Sequence, residues 1–227
     1  MISGRTRLVA LIGHPVAESL SPRMQNAAFA ARGLDWAYVA VDVPPPRLAS
    51  AVDGLAAAGF AGANVTAPYK IDVRELCETA APSVNTLLFE EGRIRGESTD
   101  AAVLVGLMWS RPVIVGAGGA AQAFSAALGD ARIFSRRGDW PPDARDADLV
   151  VHATPVRDEV VVRVVEGQTL VDLPYPGSAT AEAAREVGAT VIDGLDVLVA
   201  QGAASFELWT GLLAPVEVMR AAVRSSP

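Results

Sequence analysis

The feature that most constrains the fold is a regular alternation of short apolar segments with segments of helical periodicity. Residues 8–13, 37–43 and 61–65 have the length and composition of buried strands. Residues 22–33 and 47–58 lie between them and have helical apolar spacing, with a glycine at or just after the end of each. Strands that alternate with helices in this way are typical of parallel sheets with helical crossovers. The sequence therefore predicts an α/β fold.

A second pattern of strand and helix begins after Arg111. Val113-Ile114-Val115 runs directly into the glycine-rich segment 116–121, and a helical segment follows at 122–128. Before it, residues 84–89 and 93–96 predict a hairpin. Further strands are predicted at 132–134, 149–152, 169–173 and 190–192, and further helices at 73–80, 101–109, 179–187, 200–211 and 216–223.

This order of elements predicts two domains. The first comprises residues 1–102 and is completed by residues 200–227, whose helices return to it. The second comprises residues 103–199 and is expected to be a Rossmann-like domain with a parallel nucleotide-binding sheet.

Composition argues against several classes of partner. The formal net charge is −7, and we find no clustered basic face of the kind that nucleic acids require. The N-terminus lacks a signal-peptide pattern, and no segment reaches the about 18 apolar residues of a membrane span. We therefore expect a cytoplasmic protein that binds neither nucleic acid nor membrane.

The few sulfur and imidazole groups predict no metal site. His14, Cys77 and His152 are scattered and lack the spacing of metal ligands. Cys77 is the only cysteine, so no intrachain disulfide can form. It falls in the predicted helix at 73–80, where a core thiol is favoured over a nucleophile.

Lys70 is a candidate proton-transfer group. It follows an uncharged segment from Gly59 to Tyr69 that is stiffened by Pro68, so it does not lie on a charge-rich surface. A lysine partly withdrawn from water and placed near a carboxylate suits acid/base catalysis, and Asp100 is the candidate partner. The alternative is an ordinary surface lysine with an aspartate that caps a helix.

The glycine-rich segment predicts a dinucleotide site. Gly116 would make the tight turn, Gly118 would let the backbone approach a pyrophosphate, and Ala121 would let helix and strand pack closely. Its position between a strand and a helix favours a cofactor site over a packing turn. The whole segment is a candidate for cofactor binding: Gly116, Ala117, Gly118, Gly119, Ala120 and Ala121.

The end of the next strand favours NADP over NAD. An acidic residue there would bind the ribose of NAD, but this chain has Ser135, Arg136 and Arg137. A guanidinium that stacks on adenine and pairs with a phosphate suits NADP. The alternative is a solvated pair of arginines on a turn.

Several motifs occur in a fixed order over nearly the whole chain, and together they resemble those of the shikimate dehydrogenase family. They are Gly13-His-Pro-Val16, Ser19-Leu-Ser-Pro22, Asn64-Val-Thr-x-Pro-x-Lys70, Val84-Asn-Thr86, Thr99-Asp100, the segment Gly116–Ala121, Ala153-Thr-Pro155, Asp172-Leu-x-Tyr175, Gly194, Gln201-Gly-Ala203 and Phe206-x-x-Trp209-x-Gly211.

The resemblance implies a catalytic role for Lys70 and Asp100. In that family the matching residues are the catalytic pair of an NADP-dependent oxidoreductase, which transfers hydride reversibly between nicotinamide and a cyclohexene carboxylate. Lys70 would protonate the alkoxide that forms from 3-dehydroshikimate, and Asp100 would hold the lysine.

The resemblance also implies binding residues. Ser19 and Ser21 would bind the substrate carboxylate at the N-terminus of the helix that starts at Pro22, although Ser21 also looks like a plain helix cap. The ring hydroxyls would be bound by Thr66, Asn85, Asp100 and Gln201, and Tyr175 would close the substrate site. Without the resemblance, Asn85 is equally well read as a turn residue. The matching cofactor residues include Thr154, Leu173 and Gly194, with Arg136 in the clamp position.

Departures from the family pattern leave other functions open. Glu18 and Tyr69 stand where the family usually has histidine, Ser98 replaces an asparagine, and Gln122 replaces a basic residue, all expected at the rim of the site. Residues 137–148 have room for a turn but not for the usual helix and strand. Quinate or aminoshikimate dehydrogenase remains an alternative, as does a catalytically weak shikimate- or nucleotide-binding regulatory relative. We expect a monomer or homodimer with a small-molecule substrate.

Overall fold

The computed structural model describes residues 2–225. None of the described helices is long and apolar enough to cross a membrane. In chain order the elements are β1 (Arg7–Gly13), α1 (Ser21–Ala31), β2 (Trp36–Asp42), α2 (Leu48–Ala57), β3 (Gly62–Val65), β4 (Thr86–Glu90), β5 (Arg93–Glu97), β6 (Pro112–Val115), α3 (Gly119–Leu128), β7 (Arg132–Phe134), β8 (Leu149–His152), β9 (Thr169–Asp172), α4 (Ala179–Glu186), β10 (Thr190–Ile192), α5 (Gly194–Thr210) and α6 (Val216–Arg224).

The chain divides into two compact units. The first unit contains the residues up to Thr99 and those from Val199 onward. The second unit runs from Asp100 to Leu198. Helix α5 begins in the second unit and ends in the first, so a single helix carries the chain back.

The first unit is built on a five-stranded mixed sheet in the order β2-β1-β3-β4-β5. Strands β1, β2 and β3 are parallel, whereas β4 and β5 form an antiparallel hairpin beside β3. The predicted strands and the hairpin are therefore confirmed. Because β1 and β3 are neighbours and parallel, the loops that follow them leave the same edge of the sheet.

Helix α5 packs closely on the first unit's sheet. Trp209 Nε1 donates a hydrogen bond to the Leu87 carbonyl at 3.0 Å. A Cβ on Gly62 would lie 2.3 Å from that carbonyl oxygen and 2.4 Å from the indole nitrogen. Only glycine therefore fits at the start of β3, because any side chain would push the indole from its acceptor.

The second unit contains a five-stranded sheet in the order β10-β9-β8-β6-β7, with every pair parallel. The chain reverses its direction of winding between β6 and β8, which lie side by side. In doubly wound sheets, ligands bind outside the carboxyl ends of the strands at this switch point. Residues 137–148, all described, contain neither helix nor strand, as the sequence predicted.

The predicted helices at 101–109 and 73–80 are wrong. At 101–109 the structure has only a 3-10 turn, Ala102–Leu104. Leu104 is buried, but Gly106 has a positive φ of 80°, which interrupts a helix, and Val105 and Met108 are exposed. The predicted helix at 200–211 is confirmed but begins earlier, at Gly194.

The predicted helix at 73–80 is also a short 3-10 turn, Asp72–Leu76, and Cys77 beyond it is extended. Glu78 pairs with β5 instead, donating its amide to the Ile94 carbonyl at 2.8 Å. The Cys77 thiol lies against Gly96, where a Cβ would come within 2.5 Å of the sulfur. Burial raises the pKa of the Cys77 thiol despite the opposing charge of Arg74.

Candidate active site

The loops after β1 and β3 of the first unit approach each other closely. A Cβ on Gly13 would lie 2.3 Å from Thr66 Cγ2, so glycine is required there for the contact. The His14 amide donates to the Ala67 carbonyl at 3.1 Å. Farther along the second loop, the Val84 amide donates to the carbonyl of Lys70 at 2.7 Å. The loop that carries Thr66 and Lys70 is thus held at the switch point of this sheet.

Ser19 and Ser21 lie where the β1 loop enters α1. The Ser21 amide donates to Ser19 Oγ at 3.3 Å, and Ser21 is buried. The residue that precedes the helix is Leu20, which makes no side-chain capping bond. The alternative role of Ser21 as a side-chain cap is therefore not seen. Glu18, which stands where the family usually has histidine, is exposed.

Asn85 lies in a buried hydrogen-bond network at the start of β4. Its Oδ1 accepts from the Thr99 amide at 2.7 Å, and its Nδ2 donates to Thr99 Oγ1 at 2.9 Å and to Gln201 Oε1 at 3.2 Å. Asn85 is thus not a turn residue at the surface. The structure brings Asn85 and Gln201 together across 116 positions of sequence, through β4 and α5.

Next to this pair, the Asn64 side chain links strands β2, β3 and β4 to α5 through hydrogen bonds, a role that the sequence did not reveal. Its Nδ2 donates to the Asn85 carbonyl at 2.9 Å, to Thr86 Oγ1 at 3.1 Å and to Ser205 Oγ at 3.0 Å. Its Oδ1 accepts from the Tyr38 hydroxyl at 2.8 Å. Because both ends of the amide are used within the protein, the asparagine of the Asn-Val-Thr motif supports the site.

Lys70 and Asp100 fall in different units. Lys70 is half-buried in the first unit, and Asp100 is the buried first residue of the second unit. Lys70 is also the only lysine of the chain, since the other 18 cationic side chains are arginines. This compositional signal was available in the sequence and was missed.

Tyr69, the neighbour of Lys70, is a core residue, so the expectation that it lies at the rim is wrong. Its ring is 2% exposed, and its hydroxyl donates a short hydrogen bond to the Val43 carbonyl. Burial raises the pKa of this phenol, and the carboxylates of Asp42 and Asp72 add to the effect. The buried ring of Tyr69 therefore packs the residue before Lys70 into the core of the first unit.

In the second unit, the glycine-rich segment joins β6 to α3. Gly116 has a positive φ of 140°, and a Cβ there would lie 2.6 Å from the Ala153 carbonyl oxygen. Gly118 precedes the helix, and a Cβ built on it meets no atom within 4 Å. Ala121 is buried against the sheet. The turn thus has open space at a helix N-terminus, and this geometry fits a dinucleotide phosphate.

The arginine pair follows β7. Arg136 Nη2 lies 2.5 Å from Glu159 Oε1, and its guanidinium lies 5.6 Å from the centre of the Trp140 ring. Both charged side chains are exposed, as are Arg137 and the adjoining turn; Ser135 is half-buried. Arg136 is therefore oriented by two neighbours, at the strand end where an adenine ribose lies in sheets of this type.

A buried polar cluster lies at the carboxyl ends of β8 and β9. His152 Nδ1 is 2.7 Å from Asp172 Oδ1, and His152 Nε2 is 2.6 Å from Thr154 Oγ1. The Ser178 hydroxyl donates to both oxygens of Asp172, at 2.8 and 2.9 Å. Sequence reasoning considered His152 only as a metal ligand. A histidine and an aspartate that end two otherwise apolar strands were the signal for this cluster.

The remaining predicted residues lie in the segment from β9 to α5. A Cβ on Gly194 would come within 2.5 Å of the Leu173 carbonyl oxygen, so glycine lets the start of α5 pack on the chain that leaves β9. Tyr175 is half-buried in the loop after β9.

Comparisons with known proteins agree with these features. A model described as the shikimate dehydrogenase substrate binding domain matches residues 11–87, and one described as the shikimate 5'-dehydrogenase C-terminal domain matches residues 194–224. The shikimate dehydrogenase (NADP(+)) of Methanopyrus kandleri is 39% identical, over 98% of this chain and 96% of its own. That of Anaeromyxobacter sp. strain Fw109-5 is 40% identical, over 98% of each chain.

A solved structure extends the likeness. The shikimate 5-dehydrogenase of Thermus thermophilus, crystallised with NADP(H) and shikimate, has a TM-score of 0.84 and 30% identity, covering 96% of this chain and 99% of its own. The parallel sheet and glycine-rich turn of the second unit define an α/β protein with a Rossmann-like unit. The sequence relatives then show that the chain belongs to the shikimate dehydrogenase family. The α/β prediction and the family resemblance are both confirmed.

Proposed function

We propose that this protein is an NADP-dependent shikimate dehydrogenase, an oxidoreductase that reversibly reduces 3-dehydroshikimate to shikimate. The observation that carries the proposal is identity near 40% over almost the full length of enzymes with that name. The first unit would bind the substrate, and the second would bind NADP.

Lys70 is the proposed proton donor and acceptor. During ketone reduction, its ammonium group would give a proton to the oxygen that becomes the new hydroxyl, and in the reverse direction the amine would take that proton. Asp100 would hold the lysine in place. Arginine does not serve as a proton donor at neutral pH, so the use of lysine at this single position supports the assignment.

Most of the proposed substrate-binding residues belong to the first unit, and Asp100 and Tyr175 belong to the second. Ser19 and Ser21 would bind the carboxylate at the start of α1. Thr66, Asn85, Asp100 and Gln201 would bind the ring hydroxyls, with Tyr175 closing the site. Hydrogen bonds already fix Asn85 and Gln201 relative to each other, so little side-chain conformational entropy would be lost on binding.

NADP binding is assigned to the second unit. When bound, NADP supplies or accepts the hydride. The glycine-rich turn and the first turn of α3 would hold the pyrophosphate, and Arg136 would pair with the additional phosphate of NADP, with Ser135 and Arg137 beside it. Thr154, Leu173 and Gly194 would line the remaining part of the cofactor site.

A substrate and cofactor panel tests the assignment. The purified protein should reduce NADP with shikimate, and more slowly reduce NAD, as followed by nicotinamide absorbance. Quinate and aminoshikimate are the competing substrates. If either one has a larger kcat/KM than shikimate, that compound is the substrate instead. Lys70→Ala should lower kcat by about 100-fold or more. Binding of NADP or shikimate without any turnover would instead identify a regulatory relative.

Two further proposals concern the molecule in the cell and in solution. We propose that the protein is cytoplasmic and that it is a monomer or homodimer. Light scattering after size exclusion measures the mass in solution, and a mass of three or more chains would contradict this proposal.

A further inference from the structure

The second unit contains an ionisable pair for which the proposed reaction has no use. His152 and Asp172 are both 0% exposed. They lie on adjacent strands, with His152 Nδ1 2.7 Å from Asp172 Oδ1. Burying such groups is costly unless every polar atom is satisfied. Here the imidazole contacts Asp172 on one side and Thr154 on the other, and Ser178 donates to both carboxylate oxygens.

The chemistry of these contacts fixes the tautomer of His152. The Asp172 carboxylate can only accept, so Nδ1 of the imidazole carries the hydrogen. In the neutral ring, Nε2 then accepts a hydrogen bond from the Thr154 hydroxyl. The Thr154 oxygen in turn accepts from the Val156 amide at 3.3 Å. Asp172 therefore orients the Thr154 hydroxyl through His152.

This cluster adjoins the candidate nucleotide site. His152 is paired in register with Val115, the last residue of β6 before the glycine-rich turn. The next residue, Ala153, donates its amide to the Val115 carbonyl at 2.8 Å, and its own carbonyl occupies the space where a side chain of residue 116 would lie. Thr154 thus follows directly after the contact between the β6 and β8 loops, at the switch point of the sheet.

We propose that His152 is a positioning residue for the dinucleotide. Held by Asp172, it fixes the Thr154 hydroxyl and the loop at 153–156 in the conformation that binds NADP. This inference rests on the proposed placement of NADP in the second unit. It adds to that proposal two residues, His152 and Asp172, that touch neither substrate nor cofactor and act through Thr154.

The test is NADPH binding by the intact chain, measured by fluorescence titration. Thr154→Val keeps the shape and removes the hydroxyl. His152→Asn can still contact Asp172 but does not reach Thr154. Each single variant should weaken NADPH binding by about tenfold, the value of one well-placed hydrogen bond. Because the two residues act in series, the double variant should be no weaker than the single ones.

A matched control separates positioning from stability. Gln168 is another buried polar residue of this unit, but it lies before β9, at the opposite end of the sheet, and binds the Ala144 and Ala147 carbonyls at 2.7 Å. Gln168→Leu should lower the melting temperature and leave the NADPH Kd unchanged. His152→Gln, whose amide reaches the Nε2 position, should recover part of the affinity that His152→Asn loses.

The proposal is overturned if His152→Asn lowers the melting temperature as Gln168→Leu does while its NADPH Kd stays within about twofold of the original. It is also overturned if the NADPH Kd of the double variant rises by the product of the two single variants' fold-increases. Should His152→Asn fail to fold, His152→Gln combined with Thr154→Val provides the same comparison. Shikimate turnover is measured separately, so an inactive but NADPH-binding protein would refute the proposed reaction without deciding the role of His152.

Discussion

Lys70 differs from every other cationic residue of the chain in what its side chain can do. All 18 other positive side chains are arginines, which keep their protons at any physiological pH. Were charge alone needed at position 70, a chain of this composition would be expected to use arginine there too. The buried ring of Tyr69 fixes the backbone just before it. These two observations favour proton transfer over a surface charge.

Arg136 is the residue on which cofactor choice should depend. Arg136→Ala should raise the KM for NADP by about tenfold and change the KM for NAD little, because only NADP has the phosphate with which a charge-assisted hydrogen bond forms. Arg145→Ala is the control, since Arg145 is an exposed arginine of the same unit whose partner is Asp143. Equal changes for NADP and NAD would mean that Arg136 is only a surface residue.

Among the elements, α5 is tied to β4 and the residue before it by three side chains: Gln201 bonds to Asn85, Ser205 to Thr86 and Trp209 to Leu87. The close contact at Gly62 is its most sensitive point. Gly62→Ala should lower the free energy of unfolding by about 1–3 kcal/mol or more, because the new methyl group meets the Leu87 carbonyl and the Trp209 indole.

Gly54→Ala is the matched control for this prediction. Gly54 lies inside α2, and a Cβ there meets nothing within 4 Å. The substitution should stabilise the protein by about 0.5–1 kcal/mol, since alanine favours the helix. Urea unfolding measures both variants. If Gly62→Ala were as stable as Gly54→Ala, the packing of α5 on β3 would be contradicted.

Asp148, which precedes β8 and binds the two amides that precede β6, makes a pH-dependent contribution to stability. Burial raises the pKa of Asp148, but the amides of Ser110 and Arg111 donate to its carboxylate at 2.6 and 3.0 Å, and the net pKa is lowered. Its contribution to folding is therefore present above the usual aspartate pKa and is lost as the pH falls through the lower folded value.

The Asp148→Asn variant should therefore be less stable than the original protein at about pH 6. The difference between their free energies of unfolding should shrink as the pH falls to about pH 3. Urea unfolding at a series of pH values measures that gap. Parallel stability curves for the two proteins would show that the carboxylate gains nothing from the two amides.

At the scale of the whole molecule, the strand and helix pattern predicted most elements, and the ordered motifs predicted the family. Hydrophobic periodicity did not show that the chain would turn at Gly106 and leave only a 3-10 turn within residues 101–109. It also could not pair Asn85, just before β4, with Gln201 on α5. The buried bond between His152 and Asp172 depends on the register of β8 and β9, which only the assembled sheet defines.

The central claim is that Lys70 transfers a proton in a reaction that also requires NADP and a shikimate-like ring. Lys70→Arg tests it most directly, because arginine keeps the positive charge and most of the side-chain volume but does not give up its proton. At saturating shikimate and NADP, kcat should fall by about 100-fold or more, with both KM values changed far less. A kcat within about twofold of the original would contradict the account.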